Sequence, residues 1–408
     1  MINAATSSLA NVDRRAWRAL FAAQVGWMLD AMDFLLFTYA VVQIRSEFHL
    51  SKATMGVLTS VALIASAIGG IAFGRLADRI GRVRAMTLSI LIYSFATAGL
   101  ATATALWHLV AWRVLVGLGM GGEWSSGSVL VAETWPKEHR AKAMGIMQSG
   151  WAIGALFAAA LAALLLDRAG WRALFLVGAL PALAAFFIRR NVEEPPLWTE
   201  RDRTDVTRWS EMFSAEYVRR TLIATLLASS VLIAFWGVIT WLPAFLATPI
   251  AEGGAGLTLT KSALWLIVLQ LGAFLGYISF GWIADRFGRR LAFTCFMLAA
   301  TALVPLFAFG ARSTLSLLVL GPLVGYFGHG YFSVFGAMLA ELFPTRMRAS
   351  AQGFCYNAGR LVSAAAPFAI GAAAQQHGLG SAIAVDSLFF AVGAVLIWLL
   401  PETKGAEL

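Results

Sequence analysis

Five ionisable side chains interrupt long apolar stretches of this sequence: Asp30, Asp33, Arg113, Glu123 and Arg360. Asp30 and Asp33 are three residues apart, so on a helix both carboxylates share one face. Two like charges in a poorly solvated place are costly to keep ionised together. Such a pair is suited to taking up a proton and giving it back. The plainer alternative is that one of them ion-pairs with an arginine for packing. Arg360 carries a planar fork that grips a carboxylate through two hydrogen bonds, which a lysine cannot do. Asn357 and Tyr356 share its helix face at three- and four-residue spacing. Either the three hold an anion, or Arg360 keeps a permanent salt bridge to an acid on a neighbouring helix.

Arg113 and Glu123 are ten residues apart, about 15 Å along a helix, so each needs a partner elsewhere. Glu123 is a second proton-carrier candidate, and Arg113 a structural or gating pair. His329 could titrate near neutrality or pack as a hydrogen-bonded side chain. Gln148 and Gln270 could bind a solute or tie helices together. Trp27, Trp124, Trp236 and Trp241 could line a cavity or sit at membrane interfaces. Asp386 is expected near the outer end of its helix, reaching water.

The elements that hold these residues follow from composition. Of 408 residues, 59% are hydrophobic and 13% charged, with a mean hydropathy of +0.75. A soluble protein carries roughly 25% charged residues to cover its surface, so most of this surface must face lipid. Twelve apolar stretches of membrane-crossing length can be read, near 17–44, 53–77, 83–104, 107–133, 141–166, 171–189, 220–247, 261–284, 290–310, 314–341, 347–374 and 380–400. Helices alone satisfy every backbone group within such a segment, which predicts an all-α membrane protein. The first stretch is too long for a signal-peptide core, and no small-residue cleavage site follows it, so the N-terminus is expected to be retained.

With the N-terminus inside, 23 of the 31 lysines and arginines fall in inner segments and 6 in outer ones. The positive-inside rule then places both termini in the cytoplasm and explains the net charge of +9 without nucleic acid. The charged stretch between spans six and seven reads as a cytoplasmic linker, 191–219, partly an amphipathic surface helix with Trp198, Trp209 and Phe213 facing the membrane. It divides an N-terminal six-helix unit, 1–190, from a C-terminal one, 220–408.

The two units repeat one another. Gly74-Arg-Leu-Ala-Asp78-Arg-Ile-Gly81-Arg82 returns as Gly281-Trp-Ile-Ala-Asp285-Arg-Phe-Gly288-Arg289, displaced by 207 positions. Glu133-Thr-Trp-Pro136, with Arg140 after it, returns as Glu341-Leu-Phe-Pro344, with Arg348, displaced by 208. Two matches at nearly one offset mark a duplication. Glu133 and Glu341 are expected near Arg140 and Arg348, and these clusters could latch the halves when an inner gate closes.

The paired loops resemble the signature loop of the major facilitator superfamily. Arg113-Val-Leu-Val-Gly117 resembles its fourth-span motif, while Val192-Glu-Glu-Pro195 and Pro401-Glu402-Thr403-Lys404-Gly405 are similar to sugar-porter endings of spans six and twelve. Asp30-Ala-Met-Asp33-Phe, Gly121-Gly122-Glu123 and Tyr356-Asn357-Ala358-Gly359-Arg360 resemble proton symporters of organic acids, of the sialate and monocarboxylate branch first and the aromatic-acid branch second. The resemblance implies two pseudo-symmetric six-helix bundles and symport of a small organic anion with a proton across the plasma (inner) membrane by alternating access. Asp30, Asp33 or Glu123 would carry the proton. Arg360, Asn357, Tyr356, Gln148, Gln270 and His329 would meet substrate. Asp78, Arg82, Glu133, Arg140, Asp285, Arg289, Glu341, Arg348 and Arg113 would gate. It also implies a monomer in the bilayer. Proton-driven efflux and sugar-type uptake are the alternatives within that fold.

Enzyme readings find little support. Gly117-Leu-Gly119-Met-Gly-Gly122 matches a dinucleotide fingerprint, but it lies inside an apolar span rather than after a strand. Close helix approach explains it, as for Gly70 and Gly74, Gly150 and Gly154, and Gly272 and Gly276. There is no P-loop, and the five histidines lack metal spacing, so neither metal nor cofactor is expected. Cys295 and Cys355 read as buried or lipid-facing thiols.

Overall fold

The computed structural model describes residues 9, 12–200, 209–250, 253–257, 259–311 and 313–407. Among them the regular structure is helical. The N-terminal half contains α1 (Arg14–Glu47), α2 (Lys52–Ile80), α3 (Arg82–Leu100), α4 (Leu106–Thr134), α5 (Arg140–Val177) and α6 (Pro181–Asn191). A short α7 (Pro196–Thr199) follows, and α8 (Val218–Ala247), α9 (Leu259–Phe287), α10 (Arg289–Gly310), α11 (Thr314–Gly330) and α12 (Phe332–Leu342) open the second half. α13 (Arg348–Ser363), α14 (Ala366–His377), α15 (Leu379–Asp386) and α16 (Leu388–Leu396) complete it.

Nine helical stretches among the described residues are long and apolar enough to cross a bilayer. One of these, 140–188, breaks at Gly170, where φ is +75°, and so supplies both the fifth and the sixth crossing. α4, and α13 continued by α14, bring the total to twelve. The sequence-based spans therefore hold, but crossings ten, eleven and twelve are each interrupted, at Tyr331, at residues 364–365 and at Ser387.

Two seams join the halves: α2 packs on α13, and α5 on α9. Small residues make these seams possible. A side chain added at Gly74 or Gly281 would run into the backbone of Ala349 or of Ala141 across the seam. Gly150 meets α1, Gly276 meets α11, and Gly121 of the false fingerprint meets the backbone of α2. Each is a close helix approach.

The repeated loops, the start of α1, the linker and the C-terminus lie on one face, called here the loop face. There Arg15 pairs with Glu193 at 3.3 Å, and Lys137 pairs with Glu407. Residues 201–208 of the linker lie outside the described ones. Trp198 donates to the Asp78 carbonyl at 3.0 Å, while Trp209 and Phe213 pack edge-on against Phe354 of α13. Trp209 and Phe213 thus pack on α13 with one edge and stay 37% and 45% exposed on the other.

Gly81 and Gly288 join α2 to α3 and α9 to α10 with φ of +111° and +103°, a conformation that costs other residues about 1–3 kcal/mol. A side chain on Gly81 would also strike the Glu194 carboxylate. Gly81→Ala is expected to lower thermal stability by that amount or more, read as a drop in Tm of the purified protein. A Tm within 1 °C of the parent would refute this reading of the loop.

Candidate functional site

The three acids sit inside the N-terminal half. Asp30 and Asp33 come from α1 and Glu123 from α4, and all three are buried to within 3%. Among the described residues none forms an ion pair. Neither oxygen of Glu123 has a hydrogen-bond partner, nor does Oδ1 of Asp30, and Asp33 makes no close hydrogen bond but has the Thr97 hydroxyl of α3 beside it. Asp33 lies against Gly178, where an added Cβ would stand 3.3 Å from its Oδ1. Glu123 turns back onto Gly26 of α1, which has room for it only because that residue lacks a side chain. Asp30 is within electrostatic range of both other acids, and also of Arg360.

The buried Tyr93 hydroxyl of α3, which sequence reasoning missed, belongs to the same group and also lacks a partner. Arg113 departs from expectation. It meets no acid among the described residues, but lies over the Phe37 ring at 3.9 Å and donates to the Leu58 carbonyl at 3.4 Å. A ring face and one carbonyl hold this cation in place of a carboxylate.

Arg360 stands at the seam. Its Nη1 donates to Ser66 Oγ on α2 at 2.6 Å, and its Nε has no partner. Its guanidinium lies 5.2 Å from the Tyr356 ring, which stacks on Trp124 of the other half at 3.9 Å. Trp124 in turn donates to Gln148 at 3.2 Å. Asn357 donates to Ser125 at 3.3 Å across the seam and leaves its Oδ1 unpartnered. Below it Gln352 donates to Ser128 at 2.5 Å.

Phe34 and Trp236 bring the halves together again at 5.9 Å, with Trp151 tilted against both Phe34 and Trp27. The structure thus gathers Arg360, Asn357, Tyr356 and Gln148. Gln270 on α9 is half-buried, with an unpartnered Oε1. His329 is held edge-on by Phe235 at 5.0 Å within the C-terminal half. Trp241 donates to the Pro367 carbonyl at 2.8 Å, packing α8 against α14.

Ser66, Ser125, Trp151 and Phe34 were not singled out from sequence. Ser66 had a signal, since it stands one turn before Gly70 and two before Gly74, on the face that approaches α13. Asp386 is a correction. Instead of reaching water it is 2% exposed, against Gly237 of α8.

At the loop face the charged residues pair in a crossed pattern. Glu133 accepts from Arg82 of its own half at 2.9 Å and from Arg348 of the other half at 2.6 Å. Glu341 accepts from Arg289 at 3.1 Å and from Arg140 at 2.8 Å. Each glutamate thus binds the arginine after the opposite repeat, not the one after its own. The aspartates bind helix ends across the seam. Asp78 accepts from the backbone of Ala349 and Ser350 at 3.2 and 2.7 Å, and Asp285 from Ala141 and Lys142 at 3.3 and 3.0 Å. Carboxylates are favoured at such N-termini.

Glu194 and Glu402 play the matching part within each half, accepting from the amides of Arg82 and of Arg289 at 2.6 and 2.9 Å. Burial raises the Glu402 carboxyl, but the amides of Arg289, Arg290 and Lys404 prevail and hold it below the usual carboxylate range. Cross-half hydrogen bonds among the described residues run from this face as far as Arg360 and Ser66.

The sequence model of the Major Facilitator Superfamily matches residues 21–252 and 249–407. The chain is 33% identical to the probable 4-methylmuconolactone transporter of Cupriavidus pinatubonensis, over 95% of this chain and 91% of that one. It is 30% identical to the sialic acid transporter NanX of Escherichia coli, over 93% of each. The proton:xylose symporter XylE superposes with a TM-score of 0.79 over 96% of this chain and 97% of that one, at 19% identity, a likeness of fold. Duplicated halves, crossed charge clusters and these relatives agree: the chain belongs to the Major Facilitator Superfamily and is a membrane transporter, not an enzyme.

Proposed function

We propose that this transporter carries a small organic anion together with a proton. The observation that carries the reading is Arg360. It is a half-buried guanidinium at the seam, bound to a serine hydroxyl and to no carboxylate among the described residues, with one buried acid, Asp30, in electrostatic range. An arginine left without an acid at such a place is suited to the acid of a ligand. Relatives that carry a muconolactone and a sialic acid support an organic-acid substrate. The walls beside Arg360 are Tyr356, Trp124 and Asn357, so the anion would be flanked by ring faces and an amide.

Proton binding belongs to Asp33, with Asp30 and Glu123 as relay. A proton neutralises an acid that nothing else compensates, and its arrival at Asp30 removes a negative charge within range of Arg360 and leaves that cation to the substrate carboxylate. In this reading Arg82–Glu133–Arg348 and Arg289–Glu341–Arg140 are latches that close the cytoplasmic side and part when the site faces inward. The halves 1–190 and 220–408 rock about the linker 191–219, with both termini in the cytoplasm of the inner membrane. The sugar-type alternative has behind it the fold of XylE and the sugar-porter-like endings of spans six and twelve, but an uncharged sugar leaves Arg360 without an acid.

Uptake into proteoliposomes tests the reading. A panel of radiolabelled monocarboxylates, a sialate and aromatic acids is offered with and without an inward proton gradient. Accumulation of at least one acid above equilibrium, collapsing with a protonophore, is the expected result. Gradient-independent equilibration of every acid, or efflux alone, would remove proton symport.

A further inference from the structure

On the side of the C-terminal half turned away from the seam, a groove of about 560 Å³ lies between α8, α14 and α15. Its size is that of a drug-sized ligand site. Sequence explains why it is open. Ala365, Ala366, Ala369 and Ala373 line one wall of it, and methyl groups alone cannot fill the space against α15. Val362 and Val385 form its rim and are 54% and 64% exposed. Val362 stands two positions beyond Arg360, about 200° around the helix, so this rim faces lipid.

One group in the groove is out of keeping with its walls. Asp386, the last residue of α15, lines it yet is 2% exposed. It has no ion pair and no hydrogen bond among the described residues, and its Oδ2 is unpartnered. It lies eight residues from the turn at Gly378, roughly 12 Å into the span. The titratable groups around it are few. The Tyr331 hydroxyl is within electrostatic range, buried and unpartnered, and His377 lies at the mouth. A buried carboxylate without a cation is costly in hydrocarbon surroundings. The transport reading leaves this residue unused.

We propose that the groove is a membrane-facing binding site for a lipophilic amine, whose ammonium group meets Asp386 and whose alkyl part lies along the alanine wall. A neutral lipid tail of the same length would fill the groove but leave the carboxylate unmatched. The site is separate from Arg360 and does not depend on what the transporter carries.

The test is equilibrium binding of radiolabelled decylamine, with radiolabelled decanol as the uncharged control, to the full-length protein in phosphatidylcholine nanodiscs. The expected result is saturable binding of one amine per chain, about tenfold or more tighter than the alcohol. In Asp386→Asn the amine is expected to fall to within about twofold of the alcohol. That variant keeps the side-chain volume and strands no partner charge, so folding is not at issue. Ala369→Trp, which fills the groove and leaves Asp386 in place, is expected to remove saturable binding of the amine. Equal binding of amine and alcohol, or amine binding that survives Asp386→Asn, would overturn the proposal.

Discussion

Arg360→Ala is expected to weaken anion binding by about 3 kcal/mol, roughly 150-fold at 1.4 kcal/mol per tenfold. Arg360→Lys is expected to recover only part of this, because a point charge replaces a two-pronged donor. The measurement is Kd by ligand-induced thermal shift or equilibrium binding, with whichever acid the uptake panel identifies. Ser66→Ala is the control. Ser66 accepts the 2.6 Å bond from Arg360, so if Arg360 served only to hold α13 against α2, the two variants would behave alike. The ligand reading requires Arg360→Ala to be far worse than Ser66→Ala. Similar small losses in both would return Arg360 to a structural role.

Asp33→Asn is expected to abolish concentrative uptake while sparing exchange of labelled for unlabelled substrate. With one proton per anion, a gradient of about two pH units supports an accumulation of about 100-fold, each unit being worth 1.36 kcal/mol. The variant should sit at a ratio near one. Asparagine has the shape of a protonated aspartate, and its side-chain oxygen can still accept from the Thr97 hydroxyl beside Asp33, so the change strands no donor. Asp30→Asn and Glu123→Gln run beside it. Loss of concentrative uptake in one of these, with Asp33→Asn unaffected, would move the proton to that residue. Full accumulation in all three would exclude the N-terminal acids from coupling.

Much of this was legible in the sequence because a bilayer imposes strong rules. Helix number followed from apolar run length, and the duplication from two motifs at nearly one offset. That Asp30, Asp33, Glu123 and Arg360 would lie inside the helix bundle was implied by the stretches that contain them, though Arg360 is only half-buried. What could not be read was pairing. Glu133 is seven residues from Arg140, and proximity in the chain suggested proximity in space. The helix ends turn so that Glu133 instead meets Arg348, 215 positions away. Arg113 was expected to seek an acid, but a ring from α1 lies over it.

The difference has one physical source. Solvent acts on each segment by itself, so length, hydrophobicity and the cost of a buried charge are properties of local sequence. They determined that this chain crosses a membrane twelve times in two similar halves, with a few ionisable groups inside. Partnership depends on how helix faces turn toward one another once packed, which small residues on distant helices decide together. Gly26 makes room for Glu123, Gly237 makes room for Asp386, and Gly74 lets α13 approach α2. Only the tertiary structure therefore decided that Arg360 faces the opposite half, and that Asp386 lies buried beside a groove.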